Sequence, residues 1–257
     1  DVSSVTWLHE KVSVTGQPTS MKPTPRQISR SGLHCCTMSL LVCSITLLSG
    51  CKPPLPDTVR SGLVYCSEGS PETFNPQLVT SGTTIDAISQ QLYDRLLEID
   101  ADTGELVPAL AKSWQVSADG KTYLFTLRED VQFHQTEYFS PSRPLLAEDV
   151  VFTFNRIMQR SHPFHRQGGG NYPFFQSVDW ADLVDSVTAD TSHQVRFELS
   201  RPDSSFLSNI ATDFAAILSA EYGAQLVESG QLSRMDSHPV GTGPFRFKEY
   251  QKDVLIR

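Results

Sequence analysis

"SADGKTYLFTLREDVQFH", Ser117 to His134, decides the fold class. Asp119-Gly120 is a turn pair of the kind that reverses a chain between strands, because glycine takes positive φ without a Cβ clash. After it Tyr123, Phe125 and Leu127 alternate with Thr122, Leu124 and Thr126. That period of two is the mark of a strand with one buried face. The stretch therefore predicts a hairpin with an aromatic inner face.

Helical and strand patterns interleave on both sides of it. Upstream, "TSGTTIDAISQQLYDRLL" (Thr80 to Leu97) places Ile85, Ile88, Leu92 and Leu96 at steps of three and four, one face of a helix that starts after small and hydroxyl residues. "ADTGELVPALAKSW" predicts a turn, a short strand and a short helix ending near Trp114, and "GLVYCSEG" (Gly62 to Gly69) predicts a strand. Downstream, "LLAEDVVFTFNRIMQR" predicts a helix with Val150, Val151, Phe154, Ile157 and Met158 inward and Glu148-Asp149 in the first turn, where the dipole favours acids. "HQVRFELSRP" returns to strand. "DSSFLSNIATDFAAIL" and "AEYGAQLVESG" predict helices, and "GTGPFRFKEY" predicts a strand after its Gly-Pro. The fold class is α/β, with mixed sheets and flanking helices.

Composition narrows the function. The 257 residues are 39% hydrophobic, enough for a substantial core, and carry a formal charge of -8. That balance lacks the basic footprint that nucleic-acid binding requires, so no nucleic-acid partner is expected. The five cysteines, at 35, 36, 43, 51 and 66, crowd into the first quarter and have no downstream pair to complete a zinc site.

Most of them belong to an address. From Met21, a positive leader (Lys22, Arg26, Arg30) precedes a short apolar run from Leu40 to Leu48 and then small residues, the order of a secretory signal peptide. "LLSGC" is similar to a bacterial lipobox and makes Cys51 the candidate lipid-attachment residue, with ordinary cleavage nearby as the alternative. The expected organisation is an upstream extension over 1–20, a signal peptide with lipobox over 21–50, and a binding domain over 51–257. The chain stops at "KDVLIR" inside a charged-apolar alternation, so 51–257 is read as a fragment of a longer protein.

Enzyme motifs are missing. Gly241-Thr242-Gly243 runs into Pro244 and lacks the third glycine and the helix of a dinucleotide fingerprint. Gly168-Gly169-Gly170 lacks the lysine and helix of a phosphate loop. His162 and His165 make a weak metal pair, and no cofactor or metal site is expected. "GGGNYPFFQSVDW" is better suited to binding: Phe174 and Phe175 read as core, while Tyr172 is open between core packing and ligand contact.

Together "LVYCSEGSPETFNPQLVTSGTT", "LYDRLLEID", "LVPALAKSWQVSADGKTYLFTLREDVQFH", "AEDVVFTFNRI", "FELSRPDSSFL" and "PVGTGPFRF" resemble, from about Gly62 to the end, the family 5 extracellular solute-binding proteins of peptide ABC transporters. "WADLVDSV", "EYFSPSRP" and "VVFTFNRI" lean toward the Sap-type branch, associated with antimicrobial-peptide resistance, which extends the expected ligands to cationic antimicrobial peptides, and "YCSEGSPETFNPQLVTSGTT" leans toward the dipeptide-binding branch. The resemblance implies a type II periplasmic-binding-protein clamp, of which this chain supplies the first lobe. It implies a monomeric, non-enzymatic envelope protein that takes a peptide ligand and delivers it to an inner-membrane ABC permease. By that resemblance Thr80, Ser81 and Gly82 lie against the ligand main chain, and Cys66 pairs with a cysteine beyond Arg257. Haem or chelated-metal capture is the alternative within the family. From another class, a hydrolase using Ser81 with a histidine such as His134 has no motif behind it.

Overall fold

The computed structural model describes residues 66–257. The upstream extension, the leader, Cys51 and the beginning of the Gly62–Gly69 strand candidate lie outside the described residues; Cys66 and Ser67 carry no strand. In chain order the elements are α1 (Gly82–Leu92), β1 (Leu97–Ile99), β2 (Leu106–Pro108), β3 (Ala111–Val116), β4 (Thr122–Leu127), α2 (Ala147–Met158), α3 (Pro173–Ser177), α4 (Trp180–Leu183), β5 (Val184–Thr191), β6 (Gln194–Leu199), α5 (Phe206–Ile210), α6 (Ala220–Glu228), β7 (Tyr250–Gln251) and β8 (Leu255–Ile256). The fold is mixed α/β.

The quoted hairpin forms as its turn pair dictates. Gly120 has φ +69° and its N–H donates to the Ser117 carbonyl (2.9 Å). β3 and β4 are its arms, and the antiparallel sheet runs β3-β4-β6-β5. Tyr123, Phe125 and Leu127 of β4 join Val195, Phe197 and Leu199 of β6 on the buried face. Over that face, Phe154 of α2 stacks on Trp180 (5.3 Å) and meets Phe197 edge-on (5.1 Å), while Trp180 stacks on Phe206 (5.7 Å). Offset and edge-to-face ring pairs of this kind add to the area they bury. Asp149, in the first turn of α2, is completely buried, accepts from the Leu146 (2.8 Å) and Ala220 (2.7 Å) amides, and pairs with Arg143 (2.7 Å). Glu148 also pairs with Arg143. The two acids are thus helix-start charges, as their position in the sequence indicates.

Several elements differ from the pattern in the sequence, each for a visible reason. The predicted helix ending near Trp114 is instead β3, where pairing of Trp114 with Phe125 and Gln115 with Leu124 outweighs the helix propensity of Ala-Leu-Ala-Lys. α1 stops at Leu92, before Leu96. In a longer helix the Gln91 and Leu92 carbonyls would accept from Arg95 and Leu96; here they accept from the amides of Phe245 (2.9 Å) and Gly243 (3.1 Å). "DSSFLSNIATDFAAIL" breaks after α5 into a 3₁₀ turn at Asp213–Ala215, where Asp213 is held by Arg95 and its carbonyl by the Ser89 hydroxyl (2.9 Å). Residues 244–249 form no strand: Lys248 and Glu249 bond the Arg257 backbone, while the Phe245 amide is taken by the Gln91 carbonyl, so no continuous ladder forms along them. β5 has no counterpart in the sequence reading: register shifts at Val184/Ser186 and Ala189/Thr191 place its inward valines, 184 and 187, three apart and hide the period of two.

Candidate functional site

The segment that carries the predicted ligand contacts, Pro71 to Gly82, has one short 3₁₀ turn (Pro76–Leu78) and otherwise no ladder. A chain without a ladder must find partners for its backbone elsewhere. Phe74 is 3% exposed; its N–H donates to the Asp236 carbonyl (2.9 Å) and its carbonyl accepts from the Tyr93 hydroxyl (2.8 Å). Burial pushes the Tyr93 phenol well above its ordinary range, which keeps that hydroxyl a donor. Asn75, fully buried, caps the 3₁₀ turn by accepting from the Gln77 amide (3.1 Å) and donates to the Asp236 carboxylate (2.8 Å). The Glu72 amide donates to the Thr84 hydroxyl (3.1 Å), folding the segment back onto α1.

From this tethered base the chain emerges into the open. Val79 and Ser81 have extended backbone angles, Thr80 and Gly82 are exposed, and Ser81 makes no side-chain cap on α1. Among the described residues nothing hydrogen-bonds the Thr80 backbone. A Cβ built on Gly82 would meet nothing within 4 Å. No acidic side chain stands in the first turn of α1 to offset its positive dipole end. The arrangement offers extended, unpaired backbone beside a glycine, next to solvent.

The far end of α1 is locked. A Cβ on Gly241 would lie 1.9 Å from the Leu92 carbonyl oxygen, and one on Gly243 2.6 Å from the Leu92 carbonyl carbon. Only glycine lets "GTGP" approach this closely. The Thr242 hydroxyl donates to Asp94 (2.8 Å). His134 Nε2 lies 2.7 Å from the Gly243 carbonyl; a carbonyl only accepts, so Nε2 carries the proton. Burial holds this imidazole below its usual pKa, against the raising effect of that hydrogen bond. His134 is thus occupied in closing α1, which removes the support for a Ser81–His134 pair.

The other predicted residues are placed as follows. The core reading of Tyr172 is the one realised: its ring is 2% exposed, its hydroxyl donates to the His165 carbonyl (3.0 Å), and Arg156 lies over it (5.9 Å). The side chain is thus packed within this lobe, on the core side of the two readings that the sequence leaves open. Phe175 is core, and Phe174 stacks on Phe214 (4.6 Å). His165 Nδ1 bonds the Arg156 carbonyl (2.8 Å), and His162 Nδ1 accepts from the Phe164 amide (3.3 Å). Among the described residues no group of three His, Cys, Asp or Glu could hold a metal, and no helix is long and apolar enough to cross a membrane. Cys66 is exposed and free. A groove of about 650 Å³ between α2 and β5, lined in part by Val151, Met158, Val184 and Val187, contains none of the predicted site residues. Asp236, the hub of the tether, was not singled out by the sequence.

The profile described as "Bacterial extracellular solute-binding proteins, family 5 Middle" matches residues 105–257. The chain belongs to that family. Among curated relatives of this family 5 solute-binding protein, the dipeptide-binding protein of Escherichia coli K12 is 49% identical over 195 residues, 76% of this chain and 36% of the relative. The peptide transport periplasmic protein SapA of Salmonella typhimurium is 49% identical over 201 residues, 78% of this chain and 37% of the relative. The crystal structure of the dipeptide-binding protein from Pseudoalteromonas sp. SM9913 in complex with Met-Leu superposes with TM-score 0.75 at 50% identity, covering 76% of this chain and 39% of that one. The chain thus spans little more than a third of the length of the relatives it matches.

Proposed function

We propose that this protein is the substrate-binding component of a peptide ABC transporter. It is exported to the cell envelope, where it captures peptides and hands them unchanged to an inner-membrane permease. The observation that carries the reading is the pairing of an extended backbone at Val79–Thr80, unpartnered among the described residues, with open space in front of Gly82. A peptide lying alongside can add to it as a strand, bonding the Thr80 N–H and C=O with its own main chain. The Thr80 and Ser81 hydroxyls then take up leftover donors and acceptors, and Gly82 permits the approach. Such contacts grip any peptide backbone and leave the ligand's side chains to other surfaces. Tyr172 acts from behind, fixing the chain around His165; the same loop packs on Leu78, against which a Cβ on Gly168 would press at 2.3 Å.

The chain forms the first lobe of a two-lobed clamp that closes on ligand. Cys51 anchors the mature protein through a lipid, and Cys66 pairs with a cysteine beyond Arg257. Within this reading the ligands extend to cationic antimicrobial peptides, on the resemblance of "WADLVDSV", "EYFSPSRP" and "VVFTFNRI" to the Sap-type branch. Calorimetric titration of the complete, two-lobed protein with Met-Leu, a tripeptide and a cationic peptide tests it: saturable heat with at least one is expected, and none with any would overturn it. A relative named heme-binding protein A is 41% identical. A Soret change on haem titration, without peptide heat, would move the assignment to haem.

A further inference from the structure

Asp236 lies far along the chain from the ligand-contact segment and gathers three consecutive residues of its base. Its carbonyl accepts from the Phe74 amide (2.9 Å) and the Thr73 hydroxyl (3.0 Å), and its carboxylate accepts from Asn75 Nδ2 (2.8 Å). The same carboxylate oxygen accepts from Arg156 Nη2 (3.0 Å), and the Arg156 side chain is fully buried. Arg156 is fixed in turn by Nε donating to the Phe164 carbonyl (3.2 Å). A buried guanidinium with one carboxylate among the described residues holds that carboxylate strongly, because either charge alone would be costly there. Residues 73–75 are therefore pinned to a charge pair that is itself anchored to α2. From Asn75 the capped 3₁₀ turn leads directly to Val79 and Thr80, and the far end of α1 is locked at Leu92. Between these two fixed points the exposed Thr80–Gly82 backbone has little freedom to drift.

We infer that Asp236, backed by Arg156, is the positioning residue of the peptide-contact segment, holding residues 73–75 so that the Thr80 backbone presents its donor and acceptor in register with a ligand strand. The inference rests on the peptide-binding reading and deepens it: Asp236 touches no ligand and acts through Asn75 and Phe74. The advantage is one of preorganisation, since a strand-like grip fails when its register wanders.

The test uses the complete protein, with peptide titration and amide exchange read on the same variants. Asp236→Asn should weaken every binding peptide by a similar factor, about tenfold, whatever its side chains. It should also raise amide exchange at Val79–Thr83. In a Gly82→Val background, where the contact is already spoiled, Asp236→Asn should have little further effect on affinity. A general loss of stability would instead give additive losses. Asn75→Ala leaves the Arg156–Asp236 pair intact and should reproduce both effects, so the inference stays testable if Asp236→Asn fails to fold. Unchanged affinity and exchange in Asn75→Ala, or additive losses in the Gly82→Val background, would overturn it. If the parent protein binds no peptide, the functional reading falls alone; exchange at Val79–Thr83 in Asp236→Asn still decides whether Asp236 positions the segment.

Discussion

The four-stranded sheet with α2 and the Pro71–Leu92 arm are held together by different physics. The sheet is an apolar layer: alternating strands bury Phe125, Phe197 and Leu199 against Phe154, Trp180 and Phe206, and neighbouring residues supply most of the pattern. The arm has few ladder bonds and depends on polar tethers from distant residues, namely Asp236 on residues 73–75, Tyr93 on Phe74, and Gly243 and Phe245 on the last turn of α1. An apolar layer tolerates changes in detail and collapses when volume is lost. Tethers hold a small surface in one arrangement and leave it free to meet a ligand.

The comparison is broken most forcefully from the sheet side. Phe154→Ala should cost about 3–5 kcal/mol, measured by chemical denaturation, because it empties the centre of the ring cluster; the peptide affinity of the folded fraction should be unchanged. On the arm, Gly243→Ala forces a Cβ against backbone atoms of Leu92 and Tyr93 that cannot swing aside. It should cost about 1–3 kcal/mol and, unlike the core change, raise amide exchange in the last turn of α1.

Acid provides a third, smaller lever. Burial, with Arg156 and His165 nearby, lowers the His162 pKa to about 4, and its Nδ1 accepts from the Phe164 amide, a bond that needs the neutral ring. The unfolded chain protonates this histidine near the free value of about 6.5, so between there and about 4 the unfolded state binds more protons. Stability should therefore fall as pH drops through that window. His162→Gln should flatten this part of the pH–stability curve, and an unchanged slope would show that the ring is solvated.

The same contrast explains what could be read in advance. β4, β6, α2 and α6 announce themselves because period 2 or 3.6 persists over their lengths. β5 does not, because its bulges convert alternation into a spacing of three. Ala111–Val116 carries helix-forming residues but pairs with β4, and Leu96 carries helical spacing but lies past carbonyls already taken by Gly243 and Phe245. Thr80–Gly82 was reached by resemblance, since a short hydroxyl-glycine run before a helix also fits simple capping. Tyr172 could not be settled by residue type, because an aromatic after glycines can turn either way. Asp236 gave no signal: its bond to Asn75 spans 161 positions, and no periodicity reaches that far.

The most direct measurement is the affinity and stability of Gly82→Val in the complete protein. Valine at this open, helical position should leave unfolding free energy within about 0.5 kcal/mol of the parent, since no neighbour is struck and glycine is the poorer helix former. Calorimetric affinity for a peptide the parent binds should fall about tenfold or more, because the side chain occupies the space the ligand backbone needs. Undiminished affinity, or a loss that only tracks a loss of stability, would contradict the account.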